Sequence, residues 1–175
     1  LEFRRVLFRS VTEDGAHELV HRAPLPAEEH NAQLSLLTGM AAAELMLAAG
    51  VGILRTMPAP DTDAVAAFRE RTRALGAPWD EGQDYGAYLR SLDPADARHL
   101  AVLHAATGLF RGAGYTAFDA QAEDPALRTP PAEPAQAALA APYAHATAPL
   151  RRLVDRFVLA LCHAHAIGAP APAWV

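Results

Sequence analysis

Tyr143-Ala-His145-Ala-Thr147-Ala-Pro149-Leu-Arg151-Arg152-Leu-Val-Asp155 is the stretch on which the reading of this chain turns. Thr147 has the hydroxyl of a helix N-cap, and Pro149 fits a first helical turn, where its missing N–H is no loss. Leu150, Leu153, Val154, Phe157, Val158, Leu161 and His165 then recur at helical spacing as far as Gly168, which predicts an amphipathic helix. Arg151 and Arg152 fall in its first turn, where the macrodipole is positive and a cation is disfavoured by about 0.3–1 kcal/mol. Beside an anion they make sense: free N–H groups, a hydroxyl and two guanidinium forks suit a phosphate. Alternatively the charges pair internally, Arg152 with Asp155 at i+3 or Arg151 with Asp155 at i+4. The residues alone leave both open.

Upstream of this stretch the pattern predicts mostly helices. Val11–Arg22 reads as a hairpin or strand around the Asp14-Gly15 turn signal. Pro26 opens a helix to about Ala49 with Leu34, Leu37, Ala41, Leu45 and Ala48 on its apolar face and Gly50 and Gly52 as stops. Asp61 or Thr62 caps a helix ending at Gly76, a short helix covers Tyr85–Ser91, and another opens at Asp93-Pro94. That last one carries Leu100, Leu103, Thr107 and Phe110 on one face. Ala120–Ala140, rich in Pro, Ala and acidic residues, reads as a flexible surface loop.

Composition bounds the answer. With 175 residues and 51% hydrophobic content, the chain can bury one ordinary core. The apolar run Gly39–Ile53 is interrupted by Glu44 and shorter than the roughly 18 residues of a membrane helix, so no membrane partner is expected. Cys162 is the single cysteine, which excludes an intrachain disulfide and a thiolate zinc site and fits a reducing, cytoplasmic compartment. The formal net charge is −5, and all 15 basic residues are arginine. Any nucleic-acid reading therefore rests on a local site, not on a basic surface.

The ends have their own reading. Leu1–Ser10, LEFRRVLFRS, looks like a translated sequencing adapter, so residues 11–175 carry the fold expectations and the natural protein is expected to begin upstream. The tail APAPAWV carries no terminal structural signal, which leaves truncation downstream open.

The quoted stretch resembles the ribonuclease II/R (RNB domain) signature Y-[TA]-x-x-T-S-P-[IL]-R-[RK]-Y-x-D. The order before it is also similar: a long helix, a Pro-rich link, a helix ending near Gly76, another ending in Gly112-Ala-Gly114-Tyr115, then a strand. The similarity of layout covers roughly Val11 to Ala166, while only the signature is specific. Ala148, Leu153 and Val154 stand where the family has Ser, Tyr and commonly Pro.

The resemblance implies an α+β, predominantly helical fold with a few short strands, the C-terminal part of an RNB catalytic domain. It implies a 3′-to-5′ exoribonuclease hydrolysing single-stranded RNA to nucleoside 5′-monophosphates, working as a monomer. It places Arg151 at the scissile phosphate, a role that suits a guanidinium matching two phosphorane oxygens. Tyr143, His145, Thr147 and Arg152 are the expected substrate contacts around it. Glu28 and Glu29 correspond loosely to a Glu-Glu pair early in the family's long helix; acidic residues there also simply complement the dipole. The family's Mg²⁺ is held by aspartates in the upstream half, so no metal ligand is expected here. The fragment alone is expected to be inactive and, with half a sheet missing, poorly soluble.

Two other readings compete. A non-catalytic RNA-binding or regulatory relative would keep the phosphate site and lack the metal site. His17-Glu18-Leu19-Val20-His21 also matches the H-E-x-x-H pattern of zinc metalloproteases, which needs both histidines on one helical face. Asp14-Gly15 before it and Pro24 after it leave little room for such a helix.

Overall fold

The computed structural model describes residues 6–22 and 25–175. They fall into two compact units, Leu1–Ser35 and Leu36–Val175. In the first, β1 (Val6–Val11) and β2 (His17–Arg22) pair antiparallel from Val6↔Arg22 to Val11↔His17. Gly15, at φ 80°, turns the chain between them, as the Asp-Gly signal predicts. The hairpin thus begins at Val6, inside the segment set aside in the sequence reading. The H-E-x-x-H pattern lies wholly in β2. Extended backbone puts residues i and i+4 roughly 13 Å apart, so the helical turn that a zinc protease needs is absent, and that reading is corrected.

The first helix, α1 (Pro26–Ala49), starts at the expected proline. The Glu28 carboxylate accepts the Leu25 N–H at 2.7 Å, reaching back over the helix start. Its apolar face is not the expected one. Leu34, Leu37 and Leu45 are exposed, and Gly39, Ala42, Ala43 and Met46 are buried. Small residues win because the chain packs very close there: a Cβ on Gly39 would lie 2.6 Å from the Ala144 carbonyl oxygen. By length and composition, α1 is also the one helix among the described residues long and apolar enough to cross a membrane, which the shorter apolar run Gly39–Ile53 does not convey. Its buried residues join the core of the second unit.

That core is built on a strand pair. β3 (Val51–Thr56) pairs antiparallel with a strand formed by Gly114–Asp119, Val51↔Asp119 through Thr56↔Gly114. Gly50, at φ 71°, ends α1 as expected. Gly52 instead sits inside β3, where a Cβ would meet Met46 Cβ at 2.6 Å and Phe118 Cζ at 2.9 Å. It marks close approach of helix and strand, not a helix stop. Leu54, Phe118, Ala144, Ala146, Val158 and Leu161 complete this core.

Between β3 and its partner, three helices form a second core. α2 (Thr62–Ala74) is capped by Asp61, which accepts the Ala64 N–H, and Gly76 follows it at φ 72°. α3 (Tyr85–Ser91) is capped by Asp84. α4 (Ala97–Ala106) starts after Asp96, later than Asp93-Pro94, because Asp93 closes its own turn on the Ala95 N–H. Phe68, Trp79, Tyr88, Val102, Leu103 and Leu109 fill the space. Gly114–Asp119, now β4, is followed by the expected exposed segment, which holds a short 3-10 turn at Pro125–Leu127. It ends in two short strands, β5 (Ala135–Gln136) and β6 (Ala141–Pro142), paired antiparallel. A final helix, α5 (Leu153–Ala166), closes the order. The fold is α+β and largely helical, with three two-stranded antiparallel sheets among the described residues.

Candidate nucleic-acid interface

The signature runs out of β6 as extended chain and is stitched down at two points. The Tyr143 carbonyl accepts the Arg55 N–H at 2.8 Å, and the Ala144 N–H donates to the Gly39 carbonyl at 3.0 Å. The helix after it starts at Leu153, not at Thr147, and its N-cap is Arg152. The sequence expectation of a Thr147 cap is therefore corrected. Ala148 precedes Pro149 and is steered away from helical backbone. The Arg151 and Arg152 N–H groups both fold back onto the Ala148 carbonyl, at 3.1 and 3.0 Å, so a turn stands before the helix.

Asp155 fixes that turn. It is fully buried, accepts the Ala148 N–H at 2.7 Å through Oδ1, and takes both Nε (2.7 Å) and Nη2 (2.8 Å) of Arg152. This is the internal i+3 pairing, made bidentate. Burial pushes the Asp155 carboxyl up, but the Arg152 fork and the Ala148 N–H outweigh it and hold the group below the usual carboxylate range. The same ion pair raises Arg152. Arg151, one residue earlier, is exposed, and among the described residues its guanidinium has no hydrogen-bond partner. Two adjacent arginines thus divide the readings: Arg152 pairs internally and Arg151 faces solvent.

Arg55 and Tyr115, cross-strand partners in the β3–β4 register, complete the surroundings. The Arg55 guanidinium carbon lies 4.7 Å from the centre of the Tyr115 ring, a cation–π contact. The Tyr115 hydroxyl and His145 Nδ1 are hydrogen-bonded at 2.7 Å. Tyr143 meets the His145 ring edge-on at 5.7 Å. Burial lowers the His145 pKa below the ordinary histidine value, and Arg152, Arg55 and Arg151 lower it further against the pull of Asp155. His145 thereby favours its neutral form more than a free imidazole does. Burial raises the Tyr143 hydroxyl. In a chain of net charge −5, this is a local concentration of positive charge around aromatic rings.

The chain superposes on solved structures over most of its length. It matches yeast Ssd1, a pseudonuclease, over 83% of this chain with a TM-score of 0.63 and 20% identity. It matches Mycoplasma genitalium RNase R in complex with ribose methylated single-stranded RNA over 93%, with a TM-score of 0.66 and 15% identity. The apo form of that RNase R covers 91% at 0.64. The chain has the ribonuclease II/R fold. It spans 17% of the Ssd1 chain and 24% of the RNase R chain. Neither a family model nor a curated protein sequence matches it.

Of the expected site residues, Tyr143 meets His145 edge-on, Arg152 is bound to Asp155, and Arg151 is exposed in the turn before the helix. Thr147 is exposed beside them. Glu28 and Glu29 belong to the first unit, where both are exposed in the first turn of α1. Arg55 and Tyr115 went unassigned in the sequence reading. The signal for Tyr115 was its place in Gly112-Ala-Gly114-Tyr115; Arg55 had none, because the strand carrying it was not expected. Among the described residues, no three His, Cys, Asp or Glu side chains are grouped to hold a metal ion. Asp155, the buried acid, is already bound to Arg152 and Ala148, so the residues here do not fit Mg²⁺.

Proposed function

We propose that this chain is the downstream, phosphate-holding part of the catalytic domain of a cytoplasmic, monomeric 3′-to-5′ exoribonuclease, acting on single-stranded RNA to release nucleoside 5′-monophosphates. The observation that carries the reading is the Asp155–Arg152 fork, which fixes the Ala148–Arg152 turn and leaves Arg151 exposed, without a hydrogen-bond partner among the described residues. In this reading Arg151 meets the scissile phosphate and the charge developing on it, while Arg152 positions it. Tyr143 and His145 shape the wall beside the strand, with Thr147 at its edge. Mg²⁺ belongs to aspartates upstream of this chain, so the chain by itself binds RNA without cutting it.

A second reading has specific support. Ssd1 is described as a pseudonuclease, and a non-catalytic RNA-binding relative would need only the groups present here. Incubating the purified chain with a labelled single-stranded RNA and Mg²⁺ tests the proposal. Binding without release of monophosphates is the expected outcome. Mg²⁺-dependent degradation would contradict the division of labour, and failure to bind RNA at all would contradict the RNA reading. Adding an upstream segment that carries the aspartates separates the two readings: turnover supports the enzyme, and its absence supports the binder.

A further inference from the structure

Tyr115 is 48% exposed although it lies in a strand whose neighbour Phe118 is buried at 2%. An exposed aromatic ring in a small sheet is ordinarily mobile surface, but this one is held at both ends. Its hydroxyl is tied to His145 Nδ1 at 2.7 Å, and Arg55 lies over the ring at 4.7 Å. Two further bonds hold the strands that carry the pair: the Thr56 and Thr116 hydroxyls are 3.3 Å apart, and the Arg55 N–H is bound to the Tyr143 carbonyl. These contacts fix a half-exposed ring, backed by a cation, beside a turn that presents a free guanidinium.

A fixed aromatic face with arginine around it is what sequence-tolerant binding of a single strand requires: bases stack on the ring and the backbone follows the charge. His145, which holds the ring, leads directly into the turn that Asp155 fixes and that carries Arg151.

Building on the exoribonuclease reading above, we propose that Tyr115, backed by Arg55 and fixed by His145, is a stacking platform for a nucleobase of the strand whose phosphate meets Arg151. The histidine is a positioning residue. It reaches the strand through Tyr115 and does not bind the base.

The test compares the full chain and its variants on a single-stranded RNA and on an abasic strand of equal length, which keeps phosphates and lacks bases. The wild type is expected to bind the base-containing strand about tenfold or more tightly. Tyr115→Leu should erase that preference while leaving affinity for the abasic strand within about twofold, and Tyr115→Phe, which keeps the ring but loses the His145 tether, should keep part of it. Equal affinity of the wild type for both strands, or a preference that survives in Tyr115→Leu, overturns the platform and leaves the phosphate reading standing. A wild type that binds neither strand overturns both.

Discussion

Arg151 and Arg152 are adjacent and chemically identical, yet Asp155 engages only one of them, and substitutions should separate their effects. Asp155 is wholly buried and the Arg152 side chain is 24% exposed, so removing the guanidinium leaves a carboxylate without its main counter-charge. Breaking such a pair costs about 3 kcal/mol or more. Arg152→Ala should lower stability by that amount in denaturant titration, whereas exposed Arg151→Ala should change it by less than about 0.5 kcal/mol. Equal effects would mean that the fork does not hold the turn. Two groups also tie stability to pH. The Asp155 carboxyl is held low, so its contribution is complete above about pH 4 and is lost as pH falls through the folded value. His145 is also held low, so the unfolded chain takes up its proton first. Stability should therefore decline as pH falls below about 6.5 and level off beneath the folded value. Thermal unfolding at pH 7.5 and 5.5 checks this: His145→Gln should show a smaller decline than the wild type.

Among the elements, α1 and β3 show where sequence periodicity succeeds and fails. Caps were legible: Asp61, Pro26, Gly50 and Gly76 end or begin helices where their chemistry says they should. The buried face of α1 was not, because hydrophobicity points to Leu34, Leu37 and Leu45. Packing selects Gly39, Ala42, Ala43 and Met46, where the chain of the signature comes within van der Waals contact. Size decided burial there, and no periodicity of leucines reports it. β3 was missed for a similar reason: Gly52 reads as a stop, and only its contacts with Met46 and Phe118 show a strand pressed on a helix. Gly39→Ala distinguishes propensity from packing. In an exposed helix the change would stabilise by about 1 kcal/mol. Here the new Cβ would meet the Tyr143 ring and the Ala144 carbonyl, and overpacking costs about 1–3 kcal/mol. A net loss in thermal stability is expected, and a gain would show that the α1–signature contact is looser than described.

At the scale of the whole chain, the charge balance hid the site. A net charge of −5 argues against nucleic acid until Arg55, Arg151 and Arg152 are all found to bear electrostatically on one histidine. The signature made Arg151 and His145 legible, since they sit within a few residues of each other. Arg55 and Tyr115 come from strands far apart in sequence and meet only through the β3–β4 register, which no local pattern encodes. The helix start was misplaced because Asp155 was read as a partner for charge and not also as a partner for the Ala148 N–H. The central claim is that Arg151, freed by the Asp155–Arg152 fork, is a phosphate contact. Its direct test is the salt dependence of single-stranded RNA affinity for the wild type and for Arg151→Ala. Each phosphate contact contributes a slope of about −0.7 in log affinity against log salt for a single strand. The account predicts that the slope becomes shallower by about that amount, with an unchanged melting temperature. An identical slope in the two proteins would contradict it.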